Sequence, residues 1–236
     1  MPPRSSEVAD ILKKDKAITH VLVIHCETSS GILNPLEEIG AVVKTAGRKL
    51  LIDSMSAFGA VPVDPEKVDF EAMVSSANKC IEGVPGFGFV FAKLSALQAA
   101  KGNCHSLSLD VEAQWSAMEK SGQWRFTPPT HVVAAFLKAL EIHEAEGGVS
   151  GRGARYTNNR DVMVKGLMKN EGYIIYPGKL TIVDSFRVGC IGRMDSHVMQ
   201  GVVSAARNAL ETMGVKSAAP PKAALLERQR LSELQE

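Results

Sequence analysis

"THVLVIHCETSSGILNPLEEIGAVVKTAGRKLLID", residues 19–53, sets a helical pattern between two apolar runs, the first of them β-branched. The first run, THVLVIHCE (19–27), is continuous in Val, Leu and Ile, as a strand covered on both faces would be. Polar residues follow, and then Asn34 offers a cap, Pro35 suits a first helical turn, and Glu37 completes a capping-box spacing. Leu36, Ile39 and Val43 share one helical face, and Gly47 can stop the helix. KLLID (49–53) is the second strand. Strand, helix, strand within some 35 residues is a βαβ unit, which implies a parallel sheet with a right-handed crossover.

Ligands of open α/β sheets sit beyond the carboxyl ends of the strands. Glu27, Thr28 and Ser29 stand at one such end, and Asp53 and Ser54 at the other. FEAMVSSANK (70–79) supplies a third strand that ends near Lys79, and GFGFVFA (86–92) reads as a fourth, short and aromatic-rich. A carboxylate, hydroxyls and a lysine are thereby delivered to one edge.

The rest of the chain is less uniform. Residues 93–123 are mixed, and SLSLDVEAQWSAMEKSGQW (106–124) suggests a loop followed by a helix. RFTPPTHVVAAFLKALEIHEAEGG (125–148) is a helix with Thr130 as its cap and Val133, Phe136, Leu137 and Leu140 on one face. Gly147 and Gly148 end it. GGVSGRG (147–153) reads as a flexible connector: no Lys-Ser/Thr pair follows and no strand precedes, so the phosphate-loop pattern is unmet. Helices at 159–172 and 195–214 flank strands at 173–178 and 181–190, a smaller α+β unit. SAAPPK (217–222) breaks the chain before an amphipathic tail. The expected domains are therefore residues 1–123, 124–216 and a tail, 217–236.

Composition narrows the function classes. The 236 residues are 45% hydrophobic and 22% charged, as in an ordinary globular protein. Lys and Arg total 27 against 26 Asp and Glu, a net charge of +1, so no global field favours nucleic acid or an anionic membrane. No apolar run approaches the roughly 20 residues of a membrane span. The first twenty residues lack the apolar core of a secretory signal, so a cytoplasmic location is expected, with a mitochondrial one as the alternative. Four scattered cysteines form no C-x-x-C, and the six histidines show no ligand spacing, so no metal site is expected.

Lys79 lies in SSANKCIEGVPGFG (75–88), among small residues and before a glycine-rich turn. An amine there, with an aspartate at one strand end 26 residues earlier, suits pyridoxal 5'-phosphate. That cofactor needs an amine for its aldehyde and an acid facing its ring nitrogen. Partial desolvation would raise the neutral, nucleophilic fraction of the amine. Ser75, Ser76 and Ala77 leave room for a flat ring.

The stretches HCETSSGILNPLEEIG (25–40), LLIDSMSAFGAVPVD (50–64), SSANKCIEGVPGFGFV (75–90), WRFTPPTHVVAAF (124–136), YIIYPGK (173–179) and FRVGCIG (186–192) closely resemble the 2-aminoethylphosphonate:pyruvate aminotransferases. These are class V, fold-type I pyridoxal-phosphate enzymes. The resemblance runs through most of residues 7–215 in the family's order. It implies a partial fold-type I aminotransferase: a mostly parallel sheet of the large, cofactor-binding domain, plus a small C-terminal α+β domain. It makes Lys79 the Schiff-base lysine and proton shuttle, and Asp53 the partner of the cofactor's ring nitrogen. Thr28 would hydrogen-bond the ring substituents, with Met55 and Asn78 lining the pocket. Trp124 and Thr127 match positions that reach the cofactor phosphate of a neighbouring subunit, so a homodimer is implied. Arg187 matches the arginine that binds the acidic group of the substrate. The implied reaction transfers the amino group of 2-aminoethylphosphonate to pyruvate, giving phosphonoacetaldehyde and alanine.

Two departures from the family are expected to matter. The long N-terminal part that supplies a phosphate loop and a stacking aromatic ring has no counterpart before the first strand. A strand and helix of the small domain are also missing between VKGLMKNEG and YIIYPG. A sheet short of strands would expose an edge and an apolar face. An alanine- or serine:glyoxylate-type aminotransferase and a non-catalytic form remain the alternatives.

Overall fold

The computed structural model describes residues 2–171, 188–212 and 214, and at 167–171 the backbone alone. By packing, the chain divides into two compact units, residues 1–153 and 154–236. Within the first unit, Phe136 of the helix at 130–145 packs against Phe87 and Phe89, and Arg152 donates to Cys80 O.

The first unit is built on four strands: β1 (His20–Ile24), β2 (Lys49–Asp53), β3 (Ala72–Ser76) and β4 (Gly88–Ala92). They lie in sequence order; β1, β2 and β3 run parallel and β4 antiparallel to β3. The register sets Ile24 beside Asp53 and Asp53 beside Val74. Two backbone bonds carry the alignment past the strand ends: His25 N–H donates to Asp53 O at 2.8 Å, and Ser54 N–H to Val74 O at 2.9 Å.

Helices α1 (Ser5–Lys14) and α2 (Leu36–Thr45) flank the sheet. On α2, Leu36, Ile39, Gly40 and Val43 are buried, the face expected from their spacing. They join Leu12 of α1, Val23 of β1, Leu50 and Ile52 of β2, and Met73 of β3 in one core. Gly40 permits the approach: a Cβ there would stand 3.3 Å from Val68 Cγ1. Gly47 adopts a φ of 66° and turns the chain after α2.

Two caps differ from expectation. The N-cap of α2 is Pro35, not Asn34; the Asn34 amide instead donates to Ile24 O at 2.6 Å and ties the helix entry to the end of β1. Likewise Thr130 is the first residue of its helix and Pro129 the cap. The coverage of β1 also differs. Val23 is buried in the core, whereas Leu22 and Ile24, on the other face, are 65% and 37% exposed. The core gathers on the Val23 face, because period-two alternation puts Leu50, Ile52 and Met73 there too.

Two helices follow β4: α3 (Leu94–Ala99) and α4 (Val111–Ser121), the latter capped by Asp110, which accepts from Ala113 N–H. Helix α5 (Thr130–Ala145) brings Phe136 against Phe87 and Phe89, and Phe58 joins Phe89 and Phe91 with ring centroids at 5.3 Å. The aromatic run of β4 is thus a packing surface for α5 and for the segment after β2.

Helix α6 (Gly148–Glu171) begins where a flexible connector was expected. In the second unit, its Met163 packs with Met199 and Val203 of α7 (Ser196–Thr212). A Cβ on Gly166 would lie 2.8 Å from Val203 Cγ2, so the glycine sets the helix spacing. Asn159 donates to Met194 O at 2.9 Å, and Asp195 accepts from Val198 N–H at 3.0 Å, fixing the entry to α7. The strands expected at 173–178 and 181–190 and the tail at 217–236 lie outside the described residues, apart from residues 188–190, which are not a strand.

Candidate active site

The carboxyl ends of β1, β2 and β3 converge on a small network. Asp53, the last residue of β2, is half-buried, and its Oδ1 accepts from Met55 N–H at 2.9 Å. That bond closes a turn in which Ser54 O also receives Ala57 and Phe58 N–H. The Thr28 and Ser56 hydroxyls bond each other at 2.6 Å, joining the loop after β1 to the turn after β2. Cys80 Sγ donates to Ser56 O at 3.5 Å, joining that turn to the segment after β3. Thr28, Asp53, Met55 and the neighbours of Lys79 are therefore linked through residues 54–56. Ser56 lies at the centre of this network and was not singled out in the sequence; its position next to Met55 was the available signal.

Lys79 is half-buried in the turn that follows β3, with Asn78 exposed beside it and Ala77 and Cys80 buried. The turn is closed locally: Glu82 N–H donates to Lys79 O at 2.9 Å and Gly83 N–H to Ala77 O at 2.8 Å. Gly83 has no room for a side chain, since a Cβ would stand 2.8 Å from Ala77 O. Small residues thus serve two ends, an open approach to the lysine and a tight return of the chain.

Two buried groups shape the surroundings. Burial pushes the Cys80 thiol up to about 11, Cys26 and Glu82 adding to the rise while Arg152 and Lys79 oppose it. Burial lowers the pKa of His25, whose Nδ1 lies 3.4 Å from Ser54 Oγ. Such a thiol is inert and such an imidazole neutral, so neither adds a charge beside Asp53 near neutral pH.

Trp124 and Thr127 occupy a different place. They lie in the loop between α4 and α5, where residues 122–128 enclose an open hollow of about 780 Å³. Arg125 steadies this loop by donating to Leu107 O at 3.0 Å, and Trp124 is 41% exposed. The hollow includes none of Thr28, Asp53 or Lys79. An open cleft of about 430 Å³ lined by Phe58, Phe70, Met73 and Phe91 likewise contains neither Asp53 nor Lys79. Arg187 lies outside the described residues. Among the described residues no cluster of three or more His, Cys, Asp or Glu could hold a metal ion, and no helix is long and apolar enough to cross a membrane.

The class-V aminotransferase profile matches residues 4–224. The chain belongs to the class-V aminotransferase family. A 2-aminoethylphosphonate–pyruvate transaminase of Rhizobium meliloti (strain 1021) is 61% identical, over 98% of this chain and 70% of that protein. 2-Aminoethylphosphonate–pyruvate transaminase 1 of Paraburkholderia xenovorans (strain LB400) is 57% identical, over 99% of this chain and 69% of that protein. The first alignment runs over 269 positions, more than the chain's 236 residues, so the relative carries internal residues with no counterpart here. Among solved structures, pyridoxamine–pyruvate aminotransferase from Mesorhizobium loti superposes with a TM-score of 0.67 at 27% identity. That match covers 78% of this chain and 47% of the other, so the chain spans about half of that structure's length. The fold is a partial fold-type I aminotransferase with a mostly parallel sheet.

Proposed function

We propose that the chain is a pyridoxal-phosphate-dependent transaminase that moves the amino group of 2-aminoethylphosphonate to pyruvate, releasing phosphonoacetaldehyde and L-alanine. The observation that carries this reading is the 61% identity across nearly the whole chain to a transaminase named for those two substrates. At that identity, a substrate change would need substitutions concentrated in the site.

The residues present fit the cofactor. An acid stands at the end of β2, and an amine lies in a small-residue turn after β3. The turn after β2, which holds the acid, bonds both to a hydroxyl from the loop after β1 and to the residue following that amine. Pyridoxal phosphate, when bound, supplies an aldehyde for amines and a cationic ring that withdraws electrons.

The chain's own residues divide the remaining work. Asp53, fixed by Met55 N–H, would keep the cofactor's ring nitrogen protonated, because a carboxylate favours a cation beside it. Lys79 would hold the cofactor through its Nζ, and when freed that amine would carry a proton between the substrate carbon and the former aldehyde carbon. Ser75, Ser76 and Ala77 leave this path clear of bulk. Thr28, whose hydroxyl bonds that of Ser56, would hydrogen-bond the cofactor's ring substituents. Arg187 grips the phosphonate of one substrate and the carboxylate of the other with its planar fork, so one group serves both halves of the reaction. Trp124 and Thr127, on their separate loop, serve the cofactor phosphate of a second copy, which makes a homodimer the working form. In this assignment residues 1–123 carry the cofactor and residues 124–216 form the smaller domain.

The test is borohydride trapping after addition of pyridoxal phosphate, with peptide mapping, followed by a comparison of amino donors. The label is expected on Lys79 and turnover is expected to favour 2-aminoethylphosphonate over serine. A label only on another peptide, or a clear preference for serine with glyoxylate, would refute the assignment.

A further inference from the structure

We propose that Arg152 is a positioning residue for Lys79: a fully buried guanidinium at the start of α6 clamps the turn on which the lysine stands. The inference rests on Lys79 as the cofactor-binding amine. Arg152 has no exposed side-chain surface, and its Nη1 donates to the carbonyl of Cys80, the residue that follows Lys79. The same nitrogen lies 3.6 Å from Glu82 Oε2, and Nε donates to Glu146 Oε2 at 2.7 Å. One cation therefore grips a main-chain carbonyl inside the turn and a carboxylate at its end. The bonds to Cys80 O and Glu146 are charge-assisted, the strong kind, with Glu82 held as an ion pair, and a planar fork fixes direction as well as distance.

The backbone shows that this grip is a constraint on the turn. Glu82 has a φ of 62°, the one positive φ outside glycine among the described residues. A glutamate in that region is strained and persists where surrounding contacts over-determine it. The pairing with Arg152 is such a contact, and Glu82 N–H donates to Lys79 O. On the opposite side Cys80 Sγ donates to Ser56 O, so the residue after Lys79 is held by its side chain and by its carbonyl.

The glycines around Arg152 have the matching purpose. A Cβ on Gly151 would fall 1.9 Å from Glu146 O, and one on Gly153 would fall 2.4 Å from Ala60 O. Ala60 belongs to the segment after Asp53, where its N–H donates to Ala57 O. The G-R-G triplet thus lets the start of α6 sit against Ala60 in the segment after β2 while Arg152 reaches the Lys79 turn. The segments after β2 and after β3 are both referenced to one helix start.

Glu82→Gly is the decisive variant, because it deletes the ionic tie while relieving the positive φ. Arg152→Met and Arg152→Lys complete the set. Hydrogen exchange of the Glu82 and Gly83 amides, compared with amides of β2, reports the turn itself. Peptide mapping of the borohydride-trapped cofactor reports the lysine. With Glu82→Gly the melting temperature is expected to stay or rise while the Lys79 label falls about 10- to 100-fold, as misplacement of a reacting group would cause. Arg152→Lys should retain more label than Arg152→Met. Turn protection should drop in Glu82→Gly with β2 unchanged. Unchanged turn protection and label in Glu82→Gly would overturn the proposal, as would a label that merely follows melting temperature across the set. If the parent places its label elsewhere, the reading of Lys79 fails, and the exchange comparison still decides whether Arg152 holds the turn.

Discussion

Replacing Asp53 separates a structural bond from an electrostatic one. In Asp53→Asn the side-chain oxygen still accepts the Met55 N–H found at 2.9 Å, so the turn after β2 survives and only the charge is lost. In Asp53→Ala the bond goes as well. Loss of that cap-like bond costs about 1–2 kcal/mol, by comparison with other side-chain oxygens bonding a nearby N–H. For a protein of this size, that is a fall in Tm of roughly 2–8 °C. The catalytic cost is larger. Asp53 is half-buried, so an effective dielectric near 20 applies, and a unit charge facing a cation at about 4 Å is worth roughly 4 kcal/mol. At 1.4 kcal/mol per decade the expected fall in turnover is about a thousandfold in both variants. The assay is alanine formation from 2-aminoethylphosphonate and pyruvate with the cofactor saturating, beside thermal melts of both proteins. Asp53→Asn retaining turnover within about threefold of the parent would refute the electrostatic role. Equal Tm losses in the two variants would refute the assigned bond.

Three further outcomes follow from the same geometry. Gly83→Ala places a Cβ 2.8 Å from the Ala77 carbonyl and 3.3 Å from Phe136 Cδ2, and backbone cannot yield as a side-chain tip can. A loss of about 1–3 kcal/mol in denaturant titration is expected, with reduced trapping on Lys79. His25, whose folded pKa is lowered by burial, binds a proton more readily when unfolded. Its contribution is therefore complete above the usual 6.5 and is lost as pH falls from there towards the folded value, so His25→Asn should flatten the stability curve below pH 6.5. In native protein, iodoacetamide should modify exposed Cys104 well before Cys80, which is 2% exposed with its thiol pushed up to about 11; equal rates would contradict the packing around Ser56.

The reading of the fold from sequence succeeded where local pattern and tertiary demand agree. Leu36, Ile39 and Val43 announced the buried face of α2, and the apolar runs announced β1, β2 and β3. It went astray on β1, where an apolar run on both faces predicted two-sided cover and Leu22 is 65% exposed. Composition records what a strand can bury, whereas exposure depends on which helices reach it. Val90 of β4, at 37% exposed, shows the same effect on the other edge strand. Sheet edges and faces of this kind attract further strands or apolar cover. The Rhizobium meliloti relative, of which the chain covers 70%, has more chain with which to provide that cover.

The candidate site divides along the same line. Asp53, Thr28 and the residues around Lys79 were legible because each stands at a strand end or in a small-residue turn, and parallel strands in register bring such positions together. Ser56 and Arg152 were not, because their roles exist only through contacts with residues far along the chain. GGVSGRG illustrates the difference most clearly. Read alone, its glycines imply slack, since glycine gives up the most conformational freedom on ordering. In the fold they mark close approach, with backbone oxygens where a Cβ at Gly151 or Gly153 would stand. Arg152 between them is fully buried and carries charge against Glu82 and Glu146. Isolated arginine is costly to bury, so its place is set by partners on both sides and by the room the glycines leave. A glycine–arginine–glycine triplet beside a helix end therefore has two opposite meanings, loose linker or tight anchor, and the choice between them depends on a carbonyl some seventy residues earlier in the chain.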